Sequence, residues 1–149
     1  MRKILFVCTG NTCRSPMAEI ILKKKLKLAG VKNIKVSSAG LYANEGKKIS
    51  EFSATSLKML GYRLYGFKSK PATANVLLDN DLIICMTEGH KKLIRNFPNV
   101  YSINDLTSLE DISDPFGGDL NSYIKTSHQI EDACNIILQK ILNENGEEK

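Results

Sequence analysis

No residue of Leu82-Ile83-Ile84-Cys85-Met86 offers water a polar side chain, so a strand built from this run has to be covered on both faces. A parallel sheet sandwiched between helices gives that cover, and it requires long, usually helical, crossovers between its strands. The rest of the chain supplies them. Ile4-Leu5-Phe6-Val7 gives residues 3–7 the character of another buried strand, and further strands are predicted over residues 34–38 and 100–103. Helices are predicted over residues 16–29, stopped by Gly30, and from a Ser50 cap to residue 60, stopped by Gly61. Shorter helices are predicted over residues 73–78 and from a Thr87 cap to about residue 96. A last helix begins after Asp119 and aligns Tyr123, Ile130, Cys134, Ile137 and Ile141 on one apolar stripe, ahead of a polar tail from Asn143 to Lys149. The pattern predicts the α/β class: one domain over residues 1–149, three α/β/α layers, and a central parallel sheet of four strands. At 149 residues and 42% hydrophobic content, the chain suffices for one full core and leaves no room for a second.

Ligands of such sheets bind beyond the carboxyl ends of the strands, which is where Cys8-Thr9-Gly10-Asn11-Thr12-Cys13-Arg14-Ser15-Pro16 leaves the first strand. Pro16 suits a first helical turn, where a missing N–H costs nothing. The loop thus runs into a helix N-terminus, and the backbone N–H groups of residues 9–15 can converge on an anion. Arg14 adds two parallel donors for phosphate oxygens, a geometry Lys cannot copy. A thiolate is the reactive form of cysteine and is favoured beside an Arg and a helix N-terminus, so Cys8 is the expected nucleophile. Phosphoryl transfer to sulfur needs a proton for the leaving group and then a base for water. Asp114, in Asp114-Pro115-Phe116-Gly117-Gly118, is the candidate for both. Cys8, Arg14 and Asp114 are therefore the expected catalytic residues. Thr9, Gly10, Asn11, Thr12, Cys13 and Ser15 are the expected phosphate-binding residues. The chemistry calls for no metal and no cofactor.

The net charge of +5 comes largely from lysine clusters, such as Lys23, Lys24, Lys25 and Lys27. They lack interleaved aromatics or a base-reading motif, so nucleic acid is not an expected partner, and attraction to phosphorylated protein substrates is the more economical use of the field. No apolar run has transmembrane length and no signal-peptide cleavage pattern follows the N-terminus, so a cytoplasmic protein off the membrane is expected, while its oligomeric state is left open with a monomer favoured. The four Cys and two His show no paired metal-ligand spacing. His90 and His128 read as exposed helix residues. Cys13 reads either as a buried small residue or as a partner for a reversible disulfide with Cys8.

Residues 7–19, Val-Cys-Thr-Gly-Asn-Thr-Cys-Arg-Ser-Pro-Met-Ala-Glu, together with Asp114 to Gly118, resemble the low-molecular-weight protein tyrosine phosphatase family. Ser37-Ser38-Ala39-Gly40 and Asp81 to Thr87 match its interior stretches in order and spacing, so the likeness covers nearly the whole chain. It implies a protein phosphatase working through phosphocysteine. It also implies that Asn11 holds the loop in shape, that Ser15 bonds the Cys8 sulfur, and that Ser38 joins the bracing network. Thr12 replaces the branched aliphatic residue common in phosphotyrosine members, and Gly117-Gly118 follow Phe116 where a second aromatic is frequent. Both departures are similar to the bacterial protein arginine phosphatase branch, which implies phosphoarginine ahead of phosphotyrosine and makes Thr12 a selectivity residue. Phe67 stands where some relatives carry His. Tyr42 and Phe116 are expected to form the pocket walls, whereas Tyr62 and Tyr65 read as surface or packing residues. An arsenate reductase on the same fold would need shuttling thiols, and only Cys85 and Cys134 are available. A silent phosphopeptide-binding module would have no use for Cys8, Arg14 and Asp114 together.

Overall fold

The computed structural model describes residues 2–147. Its elements run β1 (Arg2–Cys8), α1 (Arg14–Leu28), β2 (Ile34–Gly40), α2 (Glu51–Met59), α3 (Ala74–Leu78), β3 (Leu82–Cys85), α4 (Glu88–Ile94), β4 (Val100–Ser102), α5 (Ile103–Thr107) and α6 (Leu120–Glu147). The four strands form a parallel sheet in the order β2-β1-β3-β4, as the unbroken apolar runs require.

Alternation along the central strands divides the interior into two cores. Ile4, Phe6, Ile84 and Met86 face the layer of α1, α2, α5 and α6, where Met17, Ile21, Leu57, Ile103, Ile130 and Ile137 meet them. Leu5, Val7, Ile83 and Cys85 face the opposite layer, against Leu77 of α3 and Ile94 of α4. Three layers follow from the two-residue period of a strand that is apolar on both faces. The last helix buries Tyr123, Ile130, Cys134, Ile137 and Ile141, the stripe expected from their spacing, and continues as helix beyond Asn143, where a tail was expected.

Caps set several boundaries. The side chains of Ser50, Thr73 and Thr87 each accept the backbone N–H three residues on, opening α2, α3 and α4. The strand expected over residues 100–103 ends one residue early because Ser102 and Asp105 form a reciprocal capping box, which starts the unforeseen α5. Helix α1 begins at Arg14 rather than at residue 16, which places Pro16 at its third position, still within the first turn.

The strand order reverses at β1, with β2 on one side of it and β3 on the other, so the loop after Cys8 sits at a topological switch point. Behind that loop lies Gly40, at the end of β2. A Cβ built on Gly40 would stand 2.6 Å from the Thr9 carbonyl oxygen and 2.8 Å from the Asn11 nitrogen, both backbone atoms. Gly40→Ala should therefore displace the loop, lowering stability in urea titration by about 1–3 kcal/mol and lowering turnover with it. Unchanged stability and turnover would show that the loop has slack at this point.

Candidate active site

The loop between β1 and α1 carries the site because its own polar backbone is left unpaired. Cys13 stands at the N-cap of α1 without a side-chain cap bond, and no acceptor is found for the N–H groups of residues 9–15 among the described residues. They are free for an anion. The loop's carbonyls are tied down instead: Cys8 O accepts from Leu41 N–H at 2.9 Å, Thr9 O from Tyr42 N–H at 2.9 Å, and Thr12 O from Ser50 N–H at 2.8 Å.

Side chains hold the bend. Asn11 is fully buried at a left-handed φ of 55°, a conformation Asn tolerates better than most residues. Its amide donates to Ser15 Oγ at 2.8 Å and to Ser38 Oγ at 3.0 Å, and its carbonyl oxygen accepts Lys70 N–H at 2.9 Å. Ser38 in turn donates to the buried Glu19 carboxylate at 2.9 Å, which also accepts from Tyr65 and Lys23. The bracing expected of Asn11 and Ser38 is thus present. Sequence reading missed Glu19 and Tyr65, although the acidic residue lies on the buried face of the predicted first helix. The Tyr65 phenol is pushed well up by burial and by its bond to that carboxylate, so it stays a donor.

Cys8, 3% exposed, forms the floor, with Ser15 Oγ 2.9 Å from its sulfur. Because Ser15 Oγ already accepts from Asn11, its hydrogen is available to the sulfur. Arg14 is buried, donates from Nη1 to Ile112 O at 3.1 Å, and reaches Asp114 Oδ2 with Nη2 at 3.5 Å. The segment carrying Asp114 is fastened by Ile112 N–H to Met86 O at 3.0 Å and by Ser113 to Gln129 and Thr126. The resulting cavity of about 220 Å³ is lined by Cys8, Thr9, Gly10, Thr12, Cys13, Arg14, Asp114 and Phe116.

Two expectations fail here. Tyr42 does not line this cavity; its backbone is held on the loop while its side chain stands 73% exposed to solvent. Phe116 supplies an aromatic wall alone. His90 is not an exposed helix residue but a buried one, its Nε2 2.9 Å from Thr9 Oγ1 and its Nδ1 3.0 Å from Thr87 Oγ1. No sequence spacing could bring it to Thr9, because the contact spans 81 residues. Cys13 is buried as a free thiol that contacts Ser50 and Tyr123.

Residues 3–147 match the family model for low molecular weight phosphotyrosine protein phosphatases. The chain belongs to this family. It is 38% identical over 139 residues to the low molecular weight protein-tyrosine-phosphatase PtpB of Staphylococcus epidermidis, covering 87% of this chain and 92% of that one. Its fold superposes on the YwlE arginine phosphatase of Geobacillus stearothermophilus with a TM-score of 0.90 at 31% identity, covering 100% of this chain and 98% of that one. A YwlE arginine phosphatase variant with a phosphorylated active-site serine, mutated from cysteine, matches at a TM-score of 0.87 and 32% identity over 93% of this chain and 95% of that one.

Burial, with the nearby Arg14 charge, lowers the His90 imidazole from 6.5 to about 4. The folded ring is neutral where the unfolded one charges, so this contribution to stability is whole above pH 6.5 and is lost as pH falls toward 4. Urea titrations should show wild type losing stability across that window more steeply than His90→Gln. Parallel curves would assign the acid sensitivity to other groups.

Proposed function

We propose that this chain is a protein phosphatase that hydrolyses phosphorylated protein side chains through a phosphocysteine on Cys8, with phosphoarginine preferred to phosphotyrosine. The observation that carries the reading is the meeting of a buried Cys8, the loop residues 9, 10 and 12–14 with their unpaired amides, the Arg14 guanidinium and the Asp114 carboxyl around one cavity, which Asn11 and Ser15 support from behind without lining it. The Cys8 thiolate attacks phosphorus in line, forming the S–P bond as the bond to the leaving nitrogen or oxygen breaks. The protonated Asp114 carboxyl gives its hydrogen to that leaving atom. The carboxylate then takes a proton from a water that attacks phosphorus, and the Cys8 thiolate departs, stabilised by the Ser15 hydroxyl. The loop amides and Arg14 hold the three equatorial oxygens throughout, matching the transition state better than the ground state. Arg14 and these dipoles supply the positive charge the reaction needs without a metal.

Thr12 on the cavity wall supports the phosphoarginine preference, since a short polar side chain suits the forked N–H groups beyond the phosphorus. Phosphotyrosine is the second reading, favoured by Phe116 at the mouth, 81% exposed and able to flank a ring. Arsenate reduction is disfavoured. Cys85 and Cys134 are buried, and burial pushes both thiols up to about 12, which suits inert packing residues. No described helix is long and apolar enough to cross a membrane, and four free cysteines suit the reducing cytoplasm.

Cys8→Ser should fold normally and lose turnover, because the alkoxide is far harder to form. A variant keeping a tenth of wild-type activity would displace Cys8 as nucleophile. Asp114→Asn should slow aryl phosphate hydrolysis by roughly 100-fold to 10,000-fold and flatten one limb of the pH–rate profile. An unchanged profile would move the acid elsewhere.

Thr12→Ile adds apolar bulk and removes the hydroxyl. On matched peptides it should shift the ratio of kcat/KM values from phosphoarginine toward phosphotyrosine by roughly 10-fold to 200-fold. A wild-type preference for phosphotyrosine, or an unmoved ratio, would leave a tyrosine phosphatase with an incidental Thr.

A further inference from the structure

His90 is a buried titratable side chain that the chemistry above leaves unused, and it touches the cavity wall. Its Nε2 is 2.9 Å from Thr9 Oγ1, and Thr9 borders the cavity next to Cys8. On the far side of the ring, Nδ1 is 3.0 Å from Thr87 Oγ1. Thr87 Oγ1 already accepts the His90 backbone N–H at 3.1 Å to cap α4, and its own hydrogen has no other acceptor among the described residues. One arrangement leaves no hydrogen of Thr87 or of the ring without an acceptor. Thr87 O–H donates to a bare Nδ1, which leaves the ring hydrogen on Nε2, where it donates to Thr9 Oγ1. Thr9 then keeps its own hydrogen and one lone pair for the cavity. Thr is β-branched, so pinning Oγ1 also selects the χ1 rotamer and places the methyl.

We propose that His90 is a positioning residue for the Cys8 cavity, fixing the Thr9 hydroxyl in the wall so that it hydrogen-bonds the substrate's leaving group. The inference rests on the reading of Cys8 as nucleophile. A hydroxyl both donates and accepts, so it can take an N–H from a guanidinium or give its hydrogen to a bridging oxygen. Burial and the Arg14 charge keep the ring neutral against the opposing pull of Asp114 and Asp111. Neutrality matters because a cationic ring would carry a hydrogen on Nδ1, reverse the Thr87 bond so that the Thr87 hydroxyl hydrogen loses its acceptor, and set a second positive charge near Arg14.

The test is a double-mutant cycle in kcat/KM on the phosphopeptide that wild type turns over best. Thr9→Val and His90→Phe should each lower it by roughly 3- to 10-fold, the worth of one hydrogen bond, and the double variant should be no worse than the poorer single. His90→Gln, whose amide nitrogen reaches where Nε2 does, should recover most of the loss. In the wild type, ¹⁵N NMR of the His90 ring should show a protonated Nε2 and a bare Nδ1, a readout independent of how any variant folds. Losses that multiply in the double variant, failure of Gln to rescue, or an Nδ1–H tautomer would each overturn the role of His90. A wild type that prefers phosphotyrosine would overturn the substrate reading instead, and activity surviving in Cys8→Ser would overturn the nucleophile.

Discussion

An anion cradle made of backbone amides cannot be held together by those amides. Every N–H from Thr9 to Ser15 that points at a ligand is one that cannot pair within the protein, so the loop's shape has to come from its carbonyls and from side chains behind it. Leu41, Tyr42 and Ser50 take the carbonyls, and Asn11 ties the bend to Ser15, Ser38 and the Lys70 backbone. The left-handed backbone at Asn11 is sustained because the buried amide is fully engaged at both ends. Gly40 completes the support by lacking a side chain where the loop presses on β2.

The same constraint sorts the acidic residues near the site. Glu19 is enclosed by Ser38, Tyr65 and Lys23, with no share in the cavity, so its carboxylate serves as an anchor that extends the loop's bracing to the surface of α1. Asp114 is half-exposed at the mouth, bonded to Phe116 N–H at 3.1 Å and within 3.5 Å of Arg14, which leaves it open to substrate and water. Two carboxylates thus take different work from different surroundings. On the opposite wall, His90 extends the bracing from α4 to Thr9, so the cavity is supported from both layers of the sandwich.

Much of this was legible from local sequence. The two-face apolar runs require a covered parallel sheet, the Ser50, Thr73 and Thr87 caps mark helix starts, and the six-residue step from Cys8 to Arg14 places a thiol and a guanidinium on one loop. These features are local because a strand's alternation, a cap and a loop each depend on residues within a few positions. The α5 helix is written in the chain by the same rule, in the Ser102 and Asp105 capping box, but the strand pattern of residues 100–103 runs into it and masks its start.

What only the tertiary structure decided are the contacts between segments and the directions of side chains. Cys8 and Asp114 meet because the strand order turns at β1 and the segment after α5 returns across Met86, a path the element order permits without dictating. His90 reaches Thr9, and Ser38 reaches Glu19, across sequence separations that no periodicity encodes. Tyr42 turns outward because only its backbone is held, while Phe116 turns to the cavity. A residue's chemistry and local backbone are written in its neighbours along the chain, whereas its orientation is set by whichever distant segments leave it room.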